Sequence, residues 1–315
     1  MFVYLFKSLG FLGRHASIAL PISVTLGLIL PSLSEALEPF LIPALLIPLT
    51  LSLVRIETKQ LFAATKKWKI ISLLSLWILV LSPILIYLLL SVTSIPTPIK
   101  MAAVIAAAAP PVTACAAIAL FLRLDAATTV VITVVTMLLV PITLPPIVYY
   151  LADLNIELEL WQLSFRLVGF IFTAFLLAML IKRIRTAEQI VPIAPILDGI
   201  SVVFISLFII GVMRGVTDLF LKEPEFVWLT LAVSSGLIFV LYLISAAIFW
   251  RLGSSTAMAI GLASGNCNLG LMYLVLSDQA PLELLIFFAI GQIPMYCLPT
   301  LLKPLIQYYL KKNHI

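Results

Sequence analysis

Apolar runs of about 20 residues, separated by short polar breaks, follow one another along almost the whole chain. A helix needs roughly 20 apolar residues to cross the hydrocarbon core of a bilayer, and a spanning segment is helical because its backbone groups must be paired. The pattern therefore predicts ten membrane-spanning helices. We place them at residues 15–34, 37–54, 69–92, 99–122, 126–151, 160–181, 197–221, 226–250, 255–277 and 282–308.

The composition argues against a soluble protein. Hydrophobic residues make up 63% of the 315 residues and charged residues only 10%, and the mean hydropathy is +1.22. Soluble chains carry about 25% charged residues. Since no stretch is long and polar enough to form an extramembrane domain, we expect residues 1–315 to form a single all-α polytopic membrane domain.

The basic residues lie in short loops, where they orient a membrane protein. With a cytoplasmic N-terminus, 19 lysines and arginines divide unequally, and all but four fall on the cytoplasmic side. The four exceptions are Lys100, Arg166, Arg214 and Lys222. The asymmetry predicts cytoplasmic termini in a plasma or bacterial inner membrane. It also explains the net charge of +5 without a nucleic-acid partner. A lipid bilayer and a small solute are the expected partners, and no obligate protein partner is indicated.

An internal repeat is indicated by a gap-free alignment at an offset of 153 residues. It lays the segment from Thr113 to Pro141 over the segment from Asn266 to Pro294, with Asp125 on Asp278. Few residues are identical, so a chance match of two apolar segments is the alternative. Five spans in each half, about residues 1–152 and 160–308, would give the halves opposite orientations. Such inverted repeats are common among secondary carriers.

The repeat pairs the two spans with the strongest helix-breaking signals. Span four contains Pro110 and Pro111, and proline removes a backbone donor and disrupts the preceding turn. Span nine contains SGNCNLG at residues 264–270, in which glycine and asparagine weaken the helix. Interrupted helices at corresponding places in two halves are the best sequence pointer to a transporter's binding site. We therefore expect the functional centre where these two spans meet.

With these segments in place, the chain resembles the bile acid/sodium symporter family over nearly its whole length. The sequence APPVTACAAIALFLRLDAATTVVITVV follows the family's P-G-G-T-A-S-N segment, and ASGNCNLGL is similar to its E-x-G-x-Q-N-x-G-L motif. The resemblance implies a panel subdomain of spans one, two, six and seven. It also implies a core subdomain of spans three to five and eight to ten, with spans four and nine discontinuous and crossed. The implied activity is alternating-access transport of a small organic anion with sodium, the solute lying between the two bodies.

The resemblance also implies site residues. Asn268 corresponds to a substrate-facing asparagine and Thr113 to a nearby threonine, while the other candidates flank the predicted crossing. The candidate solute-binding residues are Thr113, Cys115, Asn266, Cys267 and Asn268. The positions that correspond to sodium ligands are Ile78, Cys115, Ala116, Thr129, Thr133, Ala263 and Cys267. No carboxylate remains among them. Since a dehydrated cation without a counter-charge is costly in a low dielectric, we predict that both sodium sites are lost and that no other cofactor is used.

Several alternatives remain open. The two asparagines could instead join helices by hydrogen bonds. Arg214 could pair with Asp218 four residues along its helix or, like Arg166, contact an anion. Asp198 could carry a proton, and Cys115 and Cys267 could bind a thiophilic oxyanion. A sodium-independent carrier, coupled to protons or working by exchange, fits the residues equally well, as does a non-transporting membrane sensor on the same fold.

Enzymatic activity is not expected. The only histidines are His15 and His314, and the chain lacks H-E-x-x-H, a glycine-rich phosphate loop and G-x-S-x-G. The spans also lack a pair of facing carboxylates.

Overall fold

The computed structural model of the protein describes residues 2–56, 68–151 and 160–297, with the single positions 301, 304 and 308. Within these ranges the chain is helical and has no β-strand. Six of the lysines counted on the cytoplasmic side and one histidine lie outside the described residues, as does the end of the tenth predicted span. They are Lys59, Lys66, Lys67, Lys303, Lys311, Lys312 and His314.

The α-helices are numbered in chain order. They are α1 (Phe2–Arg14), α2 (Ala16–Ile29), α3 (Pro31–Leu37), α4 (Leu41–Arg55), α5 (Trp68–Leu76), α6 (Ser82–Ser91), α7 (Thr97–Ala107), α8 (Cys115–Phe121), α9 (Ala126–Leu151), α10 (Leu160–Ile184), α11 (Ala187–Ile190), α12 (Ala194–Val212), α13 (Val216–Lys222), α14 (Pro224–Ile248), α15 (Ser254–Gly265), α16 (Leu269–Leu276) and α17 (Leu282–Ile290). Short 3-10 turns join several of them, at Glu38–Phe40, Val191–Ile193 and Trp250–Leu252.

Six helical segments of the described chain are long and apolar enough to cross a membrane. They are Pro31–Arg55, Trp68–Ser91, Ala126–Leu151, Trp161–Ile184, Glu188–Lys222 and Pro224–Ile248. The pair Phe6–Arg14 and Ile18–Ile29, bent by 91°, makes a seventh if it counts as one span. The protein is thus an all-α, multi-pass membrane protein, as its composition predicts.

Two predicted boundaries near the N-terminus are wrong. The first span was expected to end at residue 34, but α2 ends at Ile29 and α3 begins at Pro31. Its expected start at residue 15 lies one residue before α2. The helix α1, of 13 residues, precedes it and is too short for a 20-residue criterion to detect. The second span was expected to begin at residue 37, whereas its helical segment begins at Pro31, the first residue of α3. Proline fits the first position of a helix because its missing N–H needs no partner there.

A wide helical turn interrupts the third span. Residues Trp77–Leu81 form a π-helical turn, in which the Ser82 N–H donates to the Trp77 carbonyl five residues earlier. The cause is Pro83, which has no N–H to donate and therefore displaces the usual ladder of hydrogen bonds. The indole N–H of Trp77 donates to Ser245 Oγ at 2.7 Å, which ties this turn to α14.

The chain folds into two compact units. The first unit contains Met1–Glu57 and Gly169–Val227, and the second contains Thr58–Val168 and Trp228–Ile315. In the first unit, α12 packs against α1, α2, α3 and α4. Glycine allows close approach there, because a Cβ on Gly199 would lie 2.0 Å from the Leu9 carbonyl oxygen.

Ion pairs join the ends of the first unit's long helices. Arg55 pairs with Asp198, and Arg214 pairs with Glu38. The sequence-based alternative of an Arg214–Asp218 pair is therefore wrong: the partner of Arg214 lies 176 residues away in the chain, where spacing along one helix could not reveal it. With Arg55 as its partner, Asp198 is an ion-paired residue in this conformation.

In the second unit, α9 packs against α8 and α15, and α17 packs against α7. Two glycines of α15 bring it close to α14. A Cβ on Gly261 would lie 2.6 Å from the Tyr242 carbonyl oxygen, and one on Gly265 would lie 2.8 Å from that of Ile238. Small residues four apart let the backbones of membrane helices approach closely. This packing fixes the end of α15, where the helix breaks.

Candidate solute site at the helix crossing

Two helix breaks of the second unit meet through their backbones. One lies between α7 and α8, the other between α15 and α16, and their extended segments run antiparallel at Pro111 and Cys267. The Val112 N–H donates to the Asn266 carbonyl at 2.8 Å, and the Asn268 N–H donates to the Pro110 carbonyl at 2.8 Å. Backbone groups released by the broken helices are thereby paired, as burial in a membrane requires.

Asn268 caps the helix that follows the crossing. Its side chain is 5% exposed, and its Oδ1 accepts a hydrogen bond from the Leu271 N–H at 3.1 Å. This is the standard role of asparagine at a helix N-terminus, where the first N–H groups lack partners. The cap accounts for this asparagine locally, and it needs no contact from the side chain to the other broken helix.

Asn266 has a different environment. It is 2% exposed, and its Nδ2 donates to the Leu262 carbonyl at 3.0 Å within the same helix. Its Oδ1 has no hydrogen-bond partner among the described residues. The backbones, rather than the asparagine side chains, thus form the hydrogen bonds that join the two breaks.

The two candidate cysteines are buried free thiols beside these segments. The Cys115 thiol points at the carbonyls of Asn266 and Leu262, at 3.8 and 3.9 Å, across the crossing. The Cys267 thiol points at the Ser264 carbonyl at 3.3 Å. The structure therefore brings together four of the five candidate solute-binding residues, while Thr113 lies half-buried in the break before α8.

The positions that correspond to sodium ligands lie on several helices of the second unit. Ile78 is buried in the π-helical turn, Ala263 is buried in α15, and Ala116 is half-buried in α8. Thr129 and Thr133 are buried on α9, and each hydroxyl donates to a carbonyl four residues earlier, at 3.0 and 2.8 Å. Their protons are thus directed into their own helix, and only oxygen lone pairs remain.

A compact turn after α8 holds residues that sequence reasoning did not single out as functional. Arg123 has a positive φ of 62°, the Leu124 N–H donates to the Ala119 carbonyl, and the Arg123 N–H donates to that of Leu120. This pattern is a Schellman motif. Asp125 then caps α9 by accepting from the Thr128 N–H at 3.0 Å and hydroxyl at 2.6 Å.

Asp125 also joins the start of α9 to the start of α15 within the second unit. The hydroxyl of Thr256, in the first turn of α15, donates to Asp125 Oδ2 at 3.0 Å. An aspartate three residues before a threonine at the start of an apolar run is the sequence signal for such a cap. The contact with Thr256, 131 residues away, has no local signal.

A small cavity of about 10 Å³ adjoins the crossing. That is room for about one water molecule. Its walls are apolar except for a hydroxyl and a thiol, and the lining includes Ser234, Gly265, Cys267, Leu269, Phe287 and Met295.

Among the described residues, no group of three or more His, Cys, Asp or Glu side chains is placed to hold a metal ion. Comparison with protein-family models and with curated proteins gives no match. A functional assignment therefore depends on the crossing itself.

Proposed function

We propose that the protein is a secondary transporter that moves a small organic solute by alternating access, with the crossing of its two broken helices as the solute site. The observation that carries the proposal is the reciprocal pair of backbone hydrogen bonds between Pro110–Val112 and Asn266–Asn268. Two helices that break and meet at their breaks are typical of solute sites in secondary transporters, and a packed structural helix has no need of a break.

The helix bounds support a repeat of five spans in each half. Three helical segments of the first half begin at Pro31, Trp68 and Ala126, and three of the second begin 156 residues later, at Ala187, Pro224 and Leu282. Pro111 and Cys267 are also 156 residues apart. The same offset takes Pro110 to Asn266 and Val112 to Asn268, so it relates the two hydrogen bonds of the crossing to each other. The offset differs by three residues from the 153 of the sequence alignment. Ten spans in an inverted repeat are part of the proposal.

The division into two units supports a fold like that of the bile acid/sodium symporter family. The first unit contains the predicted spans one, two and seven with most of span six, which the resemblance assigns to the panel. The second contains spans three to five and eight to ten, which it assigns to the core. An organic anion is the solute class that the resemblance favours.

Sodium coupling is not part of the proposal. Positions 78, 115, 116, 263 and 267 carry Ile, Cys, Ala, Ala and Cys, none of which offers a side-chain oxygen. A hard cation such as sodium requires oxygen ligands. We therefore favour a sodium-independent carrier, driven by protons, by exchange or by the solute gradient alone.

The two native thiols at the crossing allow a test that needs no known solute. In a Cys297→Ala background, a membrane-impermeant methanethiosulfonate is applied to one face of proteoliposomes at a time. A transporter exposes its site to each side in turn, so we expect Cys115 or Cys267 to be labelled from both faces. The variant that also carries Cys115→Ala and Cys267→Ala gives the background.

Labelling from one face only, or from neither, would contradict alternating access. The first of these outcomes would favour the alternative of a membrane sensor that binds a ligand without moving it. Orientation is controlled by protease digestion of a terminal tag, so that each face is identified independently of the labelling.

A further inference from the structure

Asn266 carries a buried hydrogen-bond acceptor that the described part of the protein leaves unused. The residue is 2% exposed and Oδ1 has no partner. Leaving a buried acceptor unpaired costs about 1–3 kcal/mol. Polar groups buried in proteins are normally satisfied, and each exception calls for an explanation.

The orientation of the amide is fixed by its own helix. Nδ2 donates to the Leu262 carbonyl at 3.0 Å. A flipped amide would place Oδ1 against that carbonyl, where two acceptors would repel each other. The backbone carbonyl of Asn266 is held as well, by the Val112 N–H. The unpaired oxygen is therefore a fixed feature of the crossing.

Neighbouring polar groups are directed elsewhere. The Cys267 thiol points at the Ser264 carbonyl, and the Asn268 side chain accepts from the Leu271 N–H. Ser264 is itself buried, and its hydroxyl has no partner among the described residues. The region of the crossing thus holds two unpaired polar side chains within three residues of one another.

Positive charge is scarce around the crossing. Segments 97–121, 126–151, 224–248 and 254–297, which contain the two breaks and helices packed near them, contain Lys100 as their only basic residue. The Lys100 ammonium donates to the Thr93 carbonyl at 2.6 Å, seven residues back along the chain. An anionic group entering the crossing would therefore meet no lysine or arginine side chain from these segments, and burying a charge without a counter-charge is unfavourable.

We infer that the part of the solute that enters the crossing is an uncharged hydrogen-bond donor, a hydroxyl or amide N–H, held by Asn266 Oδ1. This inference rests on the proposed function, since it takes the crossing as the solute site. It places any anionic group of the solute outside the crossing. It also assigns Asn266, rather than Asn268 with its cap, as the residue that selects the donor.

A matched pair of small neutral probes tests this inference. Acetamide and N,N-dimethylacetamide share a carbonyl, but only acetamide has N–H donors. The measurement is the rate at which a methanethiosulfonate labels Cys267 in purified protein carrying Cys115→Ala and Cys297→Ala. We expect acetamide to slow the labelling saturably, by about threefold once two-thirds of the sites are occupied, and dimethylacetamide to leave the rate unchanged.

Two variants assign the effect to Asn266. Asn266→Leu removes Oδ1 at similar size and should abolish the protection by acetamide. Ser264→Ala, which removes the neighbouring unpaired hydroxyl, should keep it. Thermal midpoints of both variants report whether they fold. If Asn266→Leu does not fold, the comparison of acetamide with dimethylacetamide on the parent protein still tests whether the crossing takes an N–H donor.

Each contrary result has a distinct meaning. Equal slowing by both amides would show that N–H donors are not required. Acetate, an anion of similar size to acetamide, is the third probe, and slowing by acetate alone would show that an anion enters the crossing. No slowing by any probe would mean that Oδ1 takes no donor from outside. All three overturn the inference. Protection by acetamide together with labelling from one face only would retain the inference as a binding site and reject transport.

Discussion

The two units of the protein differ in how they treat buried polar groups. Both units pack helices closely through glycine, at Gly199 in the first and at Gly261 and Gly265 in the second, and both contain ion pairs. In the second unit, two helices are broken. Among the described residues, all buried polar side-chain atoms without a hydrogen-bond partner belong to this second unit. These atoms belong to Ser75, Ser82, Thr230, Tyr242, Ser254, Ser264, Asn266 and Gln279.

The difference indicates how the units divide stability and function. A region selected only for stability satisfies its polar groups, whereas a region that binds and releases a solute must keep some of them available. Under the proposed function, the first unit would serve as a scaffold and the second as the body that binds the solute. Substitutions should follow this division, costing most stability where the first unit is tightest.

The largest effect is expected from Gly199→Ala in the first unit. The new Cβ would lie 2.0 Å from the Leu9 carbonyl oxygen, a backbone atom that cannot move without shifting α1. We expect a loss of about 3 kcal/mol or more, measured as the free energy of unfolding in detergent. Gly169→Ala is the matched control, because its Cβ would meet no atom within 4 Å. Equal stabilities of the two variants would contradict the close packing of α1 on α12.

In the second unit, Asn268→Ala should cost about 1 kcal/mol, because it removes the cap of α16. Asn268→Ser supplies another capping oxygen and should recover most of that loss. The measurement is again unfolding in detergent. Should serine fail to recover stability, the contribution of Asn268 would come from contacts other than the cap.

The sequence predicted the membrane class and the two breaks for clear physical reasons. Long apolar runs and prolines in mid-span act locally, and Pro110–Pro111 could not continue a helix. What it could not predict depends on long-range contacts. The partner of Arg214 is Glu38, and the Asp125 contact with Thr256 joins distant helices. The unpaired oxygen of Asn266 is also invisible in the sequence, since an unpaired state is a property of all its neighbours.

A smaller effect is expected at the exposed ion pair of the first unit. The side chains of Arg214 and Glu38 are 49% and 48% exposed, so solvent screens their attraction. A double-mutant cycle with Arg214→Gln and Glu38→Gln should give a coupling of about 0.5 kcal/mol, which falls as salt is added. Asp218→Asn serves as the comparison. Coupling of Arg214 to Asp218 instead would restore the pairing suggested by helical spacing.

No change in the thermal midpoint is expected when sodium replaces potassium or choline at fixed ionic strength, and this is the smallest effect that we predict. A ligand that binds only the folded protein raises stability by RT ln(1 + [L]/Kd), about 2.7 kcal/mol at a hundred times Kd. The resemblance assigns Ala263 and Cys267 to two sodium-ligand positions, and the protons of Thr129 and Thr133 are directed into α9. We therefore expect a dehydrated sodium ion to find no counter-charge there. The thermal midpoints in the three salts should therefore coincide. A saturable rise specific to sodium would mean that backbone carbonyls released by the helix breaks, with the threonine lone pairs, suffice to hold the ion. Loss of that rise in Thr129→Val would then identify α9 as one wall of the site.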